Sequence, residues 1–171
     1  MPESDATTAS EPREATRTRI LEAAAELAAR GGREALTTRS VAAAAGVQAP
    51  TIYRLFGDKD GLVNAVVLRG FRTYLEQKAL RAPGPDPVED LRAGWDLHVE
   101  FGLTNPALYV LMYGSPDPDR TPPVIAASRQ FLAEHVARVA AAGRLRVPEH
   151  LAADLIHAAG SGTVLALLAT A

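Results

Sequence analysis

The run from Leu36 to Lys59 constrains the fold more than any other part of the chain, because it sets two short helices at a fixed spacing. Thr37 or Thr38 offers a hydroxyl that accepts from an otherwise unpaired backbone N–H at a helix start. Val41, Ala42 and Ala45 then share one face at helical spacing, and Gly46 supplies the left-handed residue that ends a helix. Val47 is an apolar plug for the angle between the helices. The second helix starts near Ala49-Pro50, since a proline loses nothing in the first helical turn, where its N–H would be unpaired anyway. Ile52, Leu55 and Phe56 form its inward side, leaving Gln48, Ala49, Pro50, Thr51, Tyr53 and Arg54 near its exposed start. Two helices joined in this way form a helix-turn-helix, whose second helix enters the DNA major groove with its N-terminal residues.

The remainder of the chain also reads as helical. Alanine dominates an apolar fraction of 47%, β-branched residues are sparse, and no alternating pattern marks a strand. A length of 171 residues suffices for a helical core in one or two small domains. The absence of cysteine excludes disulfides and cysteine-based metal or nucleophile chemistry. Residues 1–11 are polar and acidic, unlike a signal peptide, and no uninterrupted apolar run reaches the ~18 residues of a membrane span. The expectation is a soluble, cytoplasmic protein with no membrane partner. A formal net charge of -2 argues against a nonspecific DNA coater. Arg39, Arg54 and Lys59 nevertheless concentrate basic charge in the motif, as a site-specific binder requires. Arg13, Arg17 and Arg19 read equally as phosphate neighbours or as a solvated face.

Taken in order, residues 1–12 read as a disordered N-terminal arm rich in Ser, Thr and Glu. A helix over 13–30 carries Ile20, Ala24, Leu27 and Ala28 on one face and stops at Gly31-Gly32. Together with the two-helix motif it makes a three-helix domain over 13–58. Asp58 caps a long connecting helix that runs to about residue 82, with Leu62, Val63, Val66, Val67, Phe71, Tyr74 and Leu75 as its apolar stripe. Pro83-Gly84-Pro85 breaks it. Residues 59–171 form a second, helical-bundle domain. Its helices open at Asp86-Pro87 and at Asn105-Pro106, then near Pro123 and Pro148, with a proline-rich loop over 114–123. The apolar run 163–171 ends without a cap, which fits packing against a partner or a chain that continues past Ala171; the second is the expectation.

Residues 36 to 62 resemble the DNA-binding signature of the tetracycline-repressor (TetR) family. The shared frame is Leu36-Thr37-Thr38-Arg39, the pair Val41-Ala42, Ala45-Gly46-Val47, Thr51-Ile52-Tyr53, Phe56, and Lys59 followed by Leu62. The resemblance implies an all-α homodimeric regulator, usually a repressor, that binds a palindromic double-stranded DNA operator and is released by a small molecule held in the C-terminal domain. It implies phosphate contacts for Thr38, Tyr53 and Lys59, and base-facing positions for Arg39, Gln48, Ala49, Pro50 and Thr51. The chemistry is consistent: Lys59 brings a charge to a helix start, the Tyr53 hydroxyl reaches a phosphate while its ring packs, and Arg39 reads guanine bidentately. Leu55 stands where the family often has an aromatic residue or histidine, and Ala49 cannot hydrogen-bond a base. Base choice therefore leans on Arg39, Gln48 and thymine-methyl contacts from Ala49 or Pro50. Gly61 replaces a usual acidic residue, so no capping box is expected on the long helix.

In the second domain Trp95, His98, Tyr109, Met112, Tyr113, Phe131 and His135 sit on helices expected to surround a cavity. Trp95 and His98 are three residues apart and Phe131 and His135 four, so each pair shares a helix face. Singly each reads as core packing; as a group they suit a pocket for a hydrophobic or aromatic effector. His98, His135, His150 and His157 lack metal-ligand spacing, and neither a metal nor another cofactor is expected. No nucleophile–base pair or phosphate loop is present, and Gly160-Ser161-Gly162 lacks the strand–turn–helix setting of a hydrolase elbow, so no enzyme is expected. Gly160 and Gly162 cost ~1 kcal/mol each inside a helix relative to alanine. They read as a kink or as a close helix approach, including one across a dimer two-fold. The alternative function is a helical ligand-binding or protein-interaction module without specific DNA binding.

Overall fold

The computed structural model describes residues 5–80, 82–114 and 122–170, and every regular element among them is helical. The chain divides into two compact units, Met1–Arg69 and Gly70–Ala171. The first holds α1 (Asp5–Gly31), a 3-10 turn (Gly32–Ala35), α2 (Thr38–Ala45), α3 (Ala49–Phe56) and the opening turns of α4 (Lys59–Leu80). Ile20 and Ala24 of α1, Leu36, Val41 of α2, Ile52 of α3 and Leu62 and Val67 of α4 are essentially fully buried. Four α4 residues, Leu62, Val63, Val66 and Val67, belong to this core, which is why the unit extends beyond a boundary at 58/59.

The expected N-terminal arm is helical wherever it is described: α1 begins at Asp5 and runs through Pro12. Composition pointed to an arm because the segment has no apolar face to bury. Extending an already packed helix costs far less than nucleating one, so a continuous α1 needs no such face. Pro12 withholds one N–H from that helix, but its carbonyl accepts from the Thr16 hydroxyl at 2.8 Å.

The second unit comprises the rest of α4, α5 (Pro87–Thr104), α6 (Pro106–Tyr113), α7 (Val124–Ala141) and α8 (Glu149–Ala169). Most of the expected loop over 114–123 lies outside the described residues. Phe71, Tyr74 and Phe101 interlock with ring centroids 4.6–5.2 Å apart and anchor α4 on α5. Asp86 caps α5 by accepting from the Val88 N–H at 2.8 Å. Asn105 was the matching candidate for α6, but its side-chain amide turns back and donates to the Phe101 carbonyl at 3.0 Å, closing α5 instead. The Pro83–Asp86 connection is clamped by α7. Arg138 donates to the Asp90 carboxylate at 2.6 Å and to the Gly84 carbonyl at 3.0 Å, while Asp90 accepts from the Gly84 N–H. Arg144 adds an ion pair to Asp86 at 2.6 Å.

Glycines bring α5 and α8 together. A Cβ on Gly102 would lie 2.3 Å from Val164 Cγ1 and 2.9 Å from Tyr109 Cδ2, so only a bare backbone fits. Gly160 lies against α5 in the same way, where a Cβ would stand 3.3 Å from His98 Cδ2. Its role is therefore an approach inside one chain, and α8 runs unbroken through it. Gly162 faces open space. The outer side of α8 is apolar and exposed at Leu151, Leu155 and Leu167. Among the described residues α8 is also the one helix long and apolar enough to cross a membrane, with a mean hydropathy of 1.5 over its most apolar window. Overall hydropathy, rather than an uninterrupted apolar run, brings it to that level, since His150, Asp154 and His157 punctuate it.

These contacts predict opposite outcomes for two glycine substitutions on neighbouring surfaces. Gly102→Ala should destabilise the protein by about 1–3 kcal/mol through overpacking. Gly162→Ala should leave stability unchanged or raise it by up to ~1 kcal/mol through helix propensity. Urea unfolding followed by circular dichroism checks both.

Candidate functional site

The helix-turn-helix is fixed by local hydrogen bonds. Thr37 caps α2: its hydroxyl accepts from the Ser40 N–H at 3.0 Å, and the Ser40 hydroxyl lies 3.1 Å from the Thr37 N–H, a reciprocal capping box. That cap settles the choice between Thr37 and Thr38 and leaves Thr38 and Arg39 in the first turn of α2. Gly46 ends the helix at φ 64°, ψ 37°, and the Val47 N–H returns to the Ala42 carbonyl at 3.0 Å. Gln48 takes the N-cap position of α3 with no side-chain cap bond, so its amide stays available. Ile52 faces the core at 1% exposure, while Tyr53 on the other side is 54% exposed. Arg39, Gln48, Pro50 and Arg54 are exposed, and Thr38, Ala49, Thr51 and Lys59 are half-buried.

Gly61 has a reason that the sequence pattern missed. A Cβ there would sit 2.0 Å from the Phe56 carbonyl oxygen, so the α3–α4 turn excludes any side chain. Asp58 still caps α4, accepting from the Gly61 N–H at 2.7 Å. Several basic side chains of this unit are neutralised or packed, and those of the motif are not. Arg33 pairs with Asp60 at 2.6 Å, Arg69 with Glu22 at 2.8 Å, and Arg30 with Glu26 at 3.1 Å. The Arg17 guanidinium lies 5.5 Å from the centre of the Phe56 ring, a packing role rather than a free charge. The side chains of Arg39, Arg54 and Lys59 make no ion pair or hydrogen bond among the described residues. The motif therefore presents uncompensated positive charge, with the N-terminus of α4 beside Lys59 adding its free N–H groups.

In the second unit a cavity of about 370 Å³ opens between α5, α7 and α8, within the roughly 300–1,000 Å³ usual for ligand sites. It brings together Trp95 and His98 of α5 with Phe131 and His135 of α7, as expected. It does not include Tyr109 or Met112, which are 0% and 3% exposed beneath it. Tyr109 instead holds His98 from behind, its hydroxyl 2.8 Å from Nε2. Met112 and Tyr113 line a separate cavity of about 330 Å³. Periodicity on α5 and α7 pointed to the first wall, and Leu91 and Leu132 extend it at the same spacing. The α8 wall, Ile156, His157 and Gly160, was missed because that helix is apolar all round and no face of it stands out.

Burial sets the protonation states here. Tyr113 is pushed up to about 12, mainly by desolvation, and Tyr109 rises by the same cause, so both are neutral phenols at physiological pH. His157 is held below its ordinary value, first by burial and then by the Arg129 charge, with Asp154 partly opposing. His135 donates from Nδ1 to the Phe131 carbonyl at 2.9 Å, because a carbonyl can only accept. Among the described residues no group of three or more potential metal ligands converges.

Comparison with known proteins matches residues 20–66 to the model for bacterial regulatory proteins of the tetR family. The HTH-type transcriptional repressor KstR of Rhodococcus jostii is 37% identical over 76 residues, covering 44% of this chain and 35% of the repressor. The match thus spans about a third of that relative's length. The TetR-family regulator PfmR of Thermus thermophilus is 25% identical with a TM-score of 0.64, covering 85% of this chain and 84% of that one. The regulator FadR of Bacillus subtilis, solved in complex with stearoyl-CoA, shares the fold at 17% identity and a TM-score of 0.73, covering 90% and 88%.

The depressed His157 pKa has a defined sign. Its contribution to stability is complete above the unfolded value of 6.5 and is lost as pH falls below that value through the folded pKa. The Asp86 and Asp90 contributions follow only below 3.8, since backbone and arginine partners lower both carboxyls. The melting temperature should therefore fall in two separate acid steps, and His157→Gln should remove part of the first alone. Thermal melts from pH 8 to pH 3 test this.

Proposed function

Because this chain belongs to the tetR family of bacterial regulatory proteins, we propose that it represses transcription from a palindromic operator as a cytoplasmic homodimer and is released by a small apolar or aromatic effector. The observation that carries the reading is the placement of charge: Arg30, Arg33 and Arg69 of the first unit are paired with carboxylates, whereas Arg39, Arg54 and Lys59 stand together on the motif without an ion pair among the described residues. Arg39, Gln48, Ala49, Pro50 and Thr51 face bases in the major groove, and Thr38, Tyr53 and Lys59 hold phosphates. Two α3 helices then occupy successive grooves, about one helical turn apart.

The exposed stripe on α8, Leu151, Leu155, Ala158 and Gly162, supports a homodimer, since these residues share one face and the small ones permit a close approach. The cavity walled by Trp95, His98, Phe131 and His135 is the effector site. Release follows if the effector binds better to the DNA-incompetent arrangement, because only differential affinity shifts a population. Tyr109, Met112 and Tyr113 support this site from behind rather than touching the effector.

Arg39→Ala should cost about 1–3 kcal/mol on the preferred operator and relax base choice. Lys59→Ala should weaken all duplexes alike and lower the salt slope by about one. Fluorescence anisotropy against duplexes tiled over the upstream region, at several salt concentrations, measures both effects. Weak binding, equal for every duplex, would favour the module without specific DNA binding. In sedimentation velocity, Leu155→Glu should shift the protein from dimer to monomer; an unchanged dimer would remove α8 from the interface.

A further inference from the structure

None of the described polar groups that line the cavity is anionic. Its walls bring Ser128, His98, His135, His157 and Arg92 to the ligand space, and among the described lining residues there is no carboxylate. Three carboxylates of the surrounding helices are paired with arginines: Asp90 with Arg138, Asp154 with Arg129, Glu89 with Arg92. Ser128 is buried, at 7% exposure, and stands beside the Tyr113 hydroxyl. That hydroxyl is itself buried with no partner in hydrogen-bond geometry. The Tyr113 ring lies 5.8 Å from His157 but lines the separate cavity, so a serine hydroxyl and an imidazole are what this part of an otherwise apolar slot presents. A hydroxyl and an imidazole can each donate to an oxyanion, and no carboxylate among the described lining residues competes for them. The other end is walled by Trp95, Leu91, Leu132 and Phe131.

Building on the effector-site reading above, we propose that the effector is a compact carboxylic acid with an aromatic or short aliphatic body. Its carboxylate accepts from Ser128 and His157, and its body packs on Trp95 and Phe131. An oxyanion satisfies several donors at once, which a hydrocarbon cannot do. A cation meets no counter-charge among the described lining residues.

The chain's one tryptophan is Trp95, so binding reports itself as quenching of intrinsic fluorescence. Three probes of nearly equal size separate the possibilities: 4-butylbenzoate, 4-butyltoluene and 4-butylbenzylammonium. The full chain should bind the benzoate at least tenfold more tightly than the hydrocarbon and the ammonium not at all. Ser128→Ala and His157→Gln, checked for native melting, should each erode the preference for the acid while leaving hydrocarbon binding intact. If the hydrocarbon or the ammonium quenches Trp95 as strongly as the benzoate, the cavity remains the effector site and the carboxylate assignment is overturned. If none of the three quenches Trp95, both the assignment and the site fall. If the acid preference survives in both variants, Ser128 and His157 are not its anchors and the proposal is wrong as drawn.

Discussion

Two helices can approach to backbone distance only where one of them gives up a side chain, and the second unit depends on that constraint at Gly102 and Gly160. At Gly102 the approach is closed: Val164 and Tyr109 fill the space, and all of it is core. One turn of α8 before Val164, Gly160 lies against His98 and Trp95 with slightly more room, and there the helices diverge enough to leave a cavity. The same helix pair thus makes a core at one level and a ligand-sized space at the next. The difference is set by which side chains α5 presents at each level.

The wall opposite is held by ion pairs as well as by the buried Ile125, Val136 and Val139. Arg138 grips Asp90 and the Gly84 carbonyl, and Arg144 grips Asp86, so α7 fixes the start of α5. These groups are partly exposed, and each pair alone is worth little. Their value is geometric, because Asp86 caps α5 while Asp90 holds the preceding turn through the Gly84 N–H. His135 stands beside this network, facing Asp90, and also lines the cavity. A molecule in the cavity therefore touches a side chain adjacent to the clamp that ends the α4–α5 connection.

Legibility from sequence followed the kind of physics involved. Caps, turns and helix faces are local, and Thr37, Gly46, Asp86 and the stripe on α4 were readable because each satisfies a rule within a few residues. Asn105 shows where such rules stop, since the same residue type can cap the next helix or close the last one, and only the tertiary setting decides. Gly61 looked like a lost capping residue and is instead a steric requirement, invisible without the Phe56 carbonyl above it. The cavity was half legible. α5 and α7 have contrasting faces, but α8 is apolar all round and carries no sign of which side turns inward.

That uniform apolarity of α8 follows from its position. Its inner side is needed against α5, α6 and α7, with Val164 at 0% exposure, and its outer side is apolar without any cover inside this chain. A helix of this kind in water leaves a hydrophobic surface that association removes. The small residues Ala158 and Gly162 on that outer side lower the steric cost of bringing a second helix close, just as Gly160 does on the inner side. Glycine thus serves a close approach on the inner face at Gly160, while Gly162 on the outer face meets nothing within this chain. The inner use fixes the wall of the cavity, and the outer one leaves a surface suited to a second copy of the chain. Because both faces belong to one rigid element, a shift of α8 driven from the cavity side has to move the outer face with it.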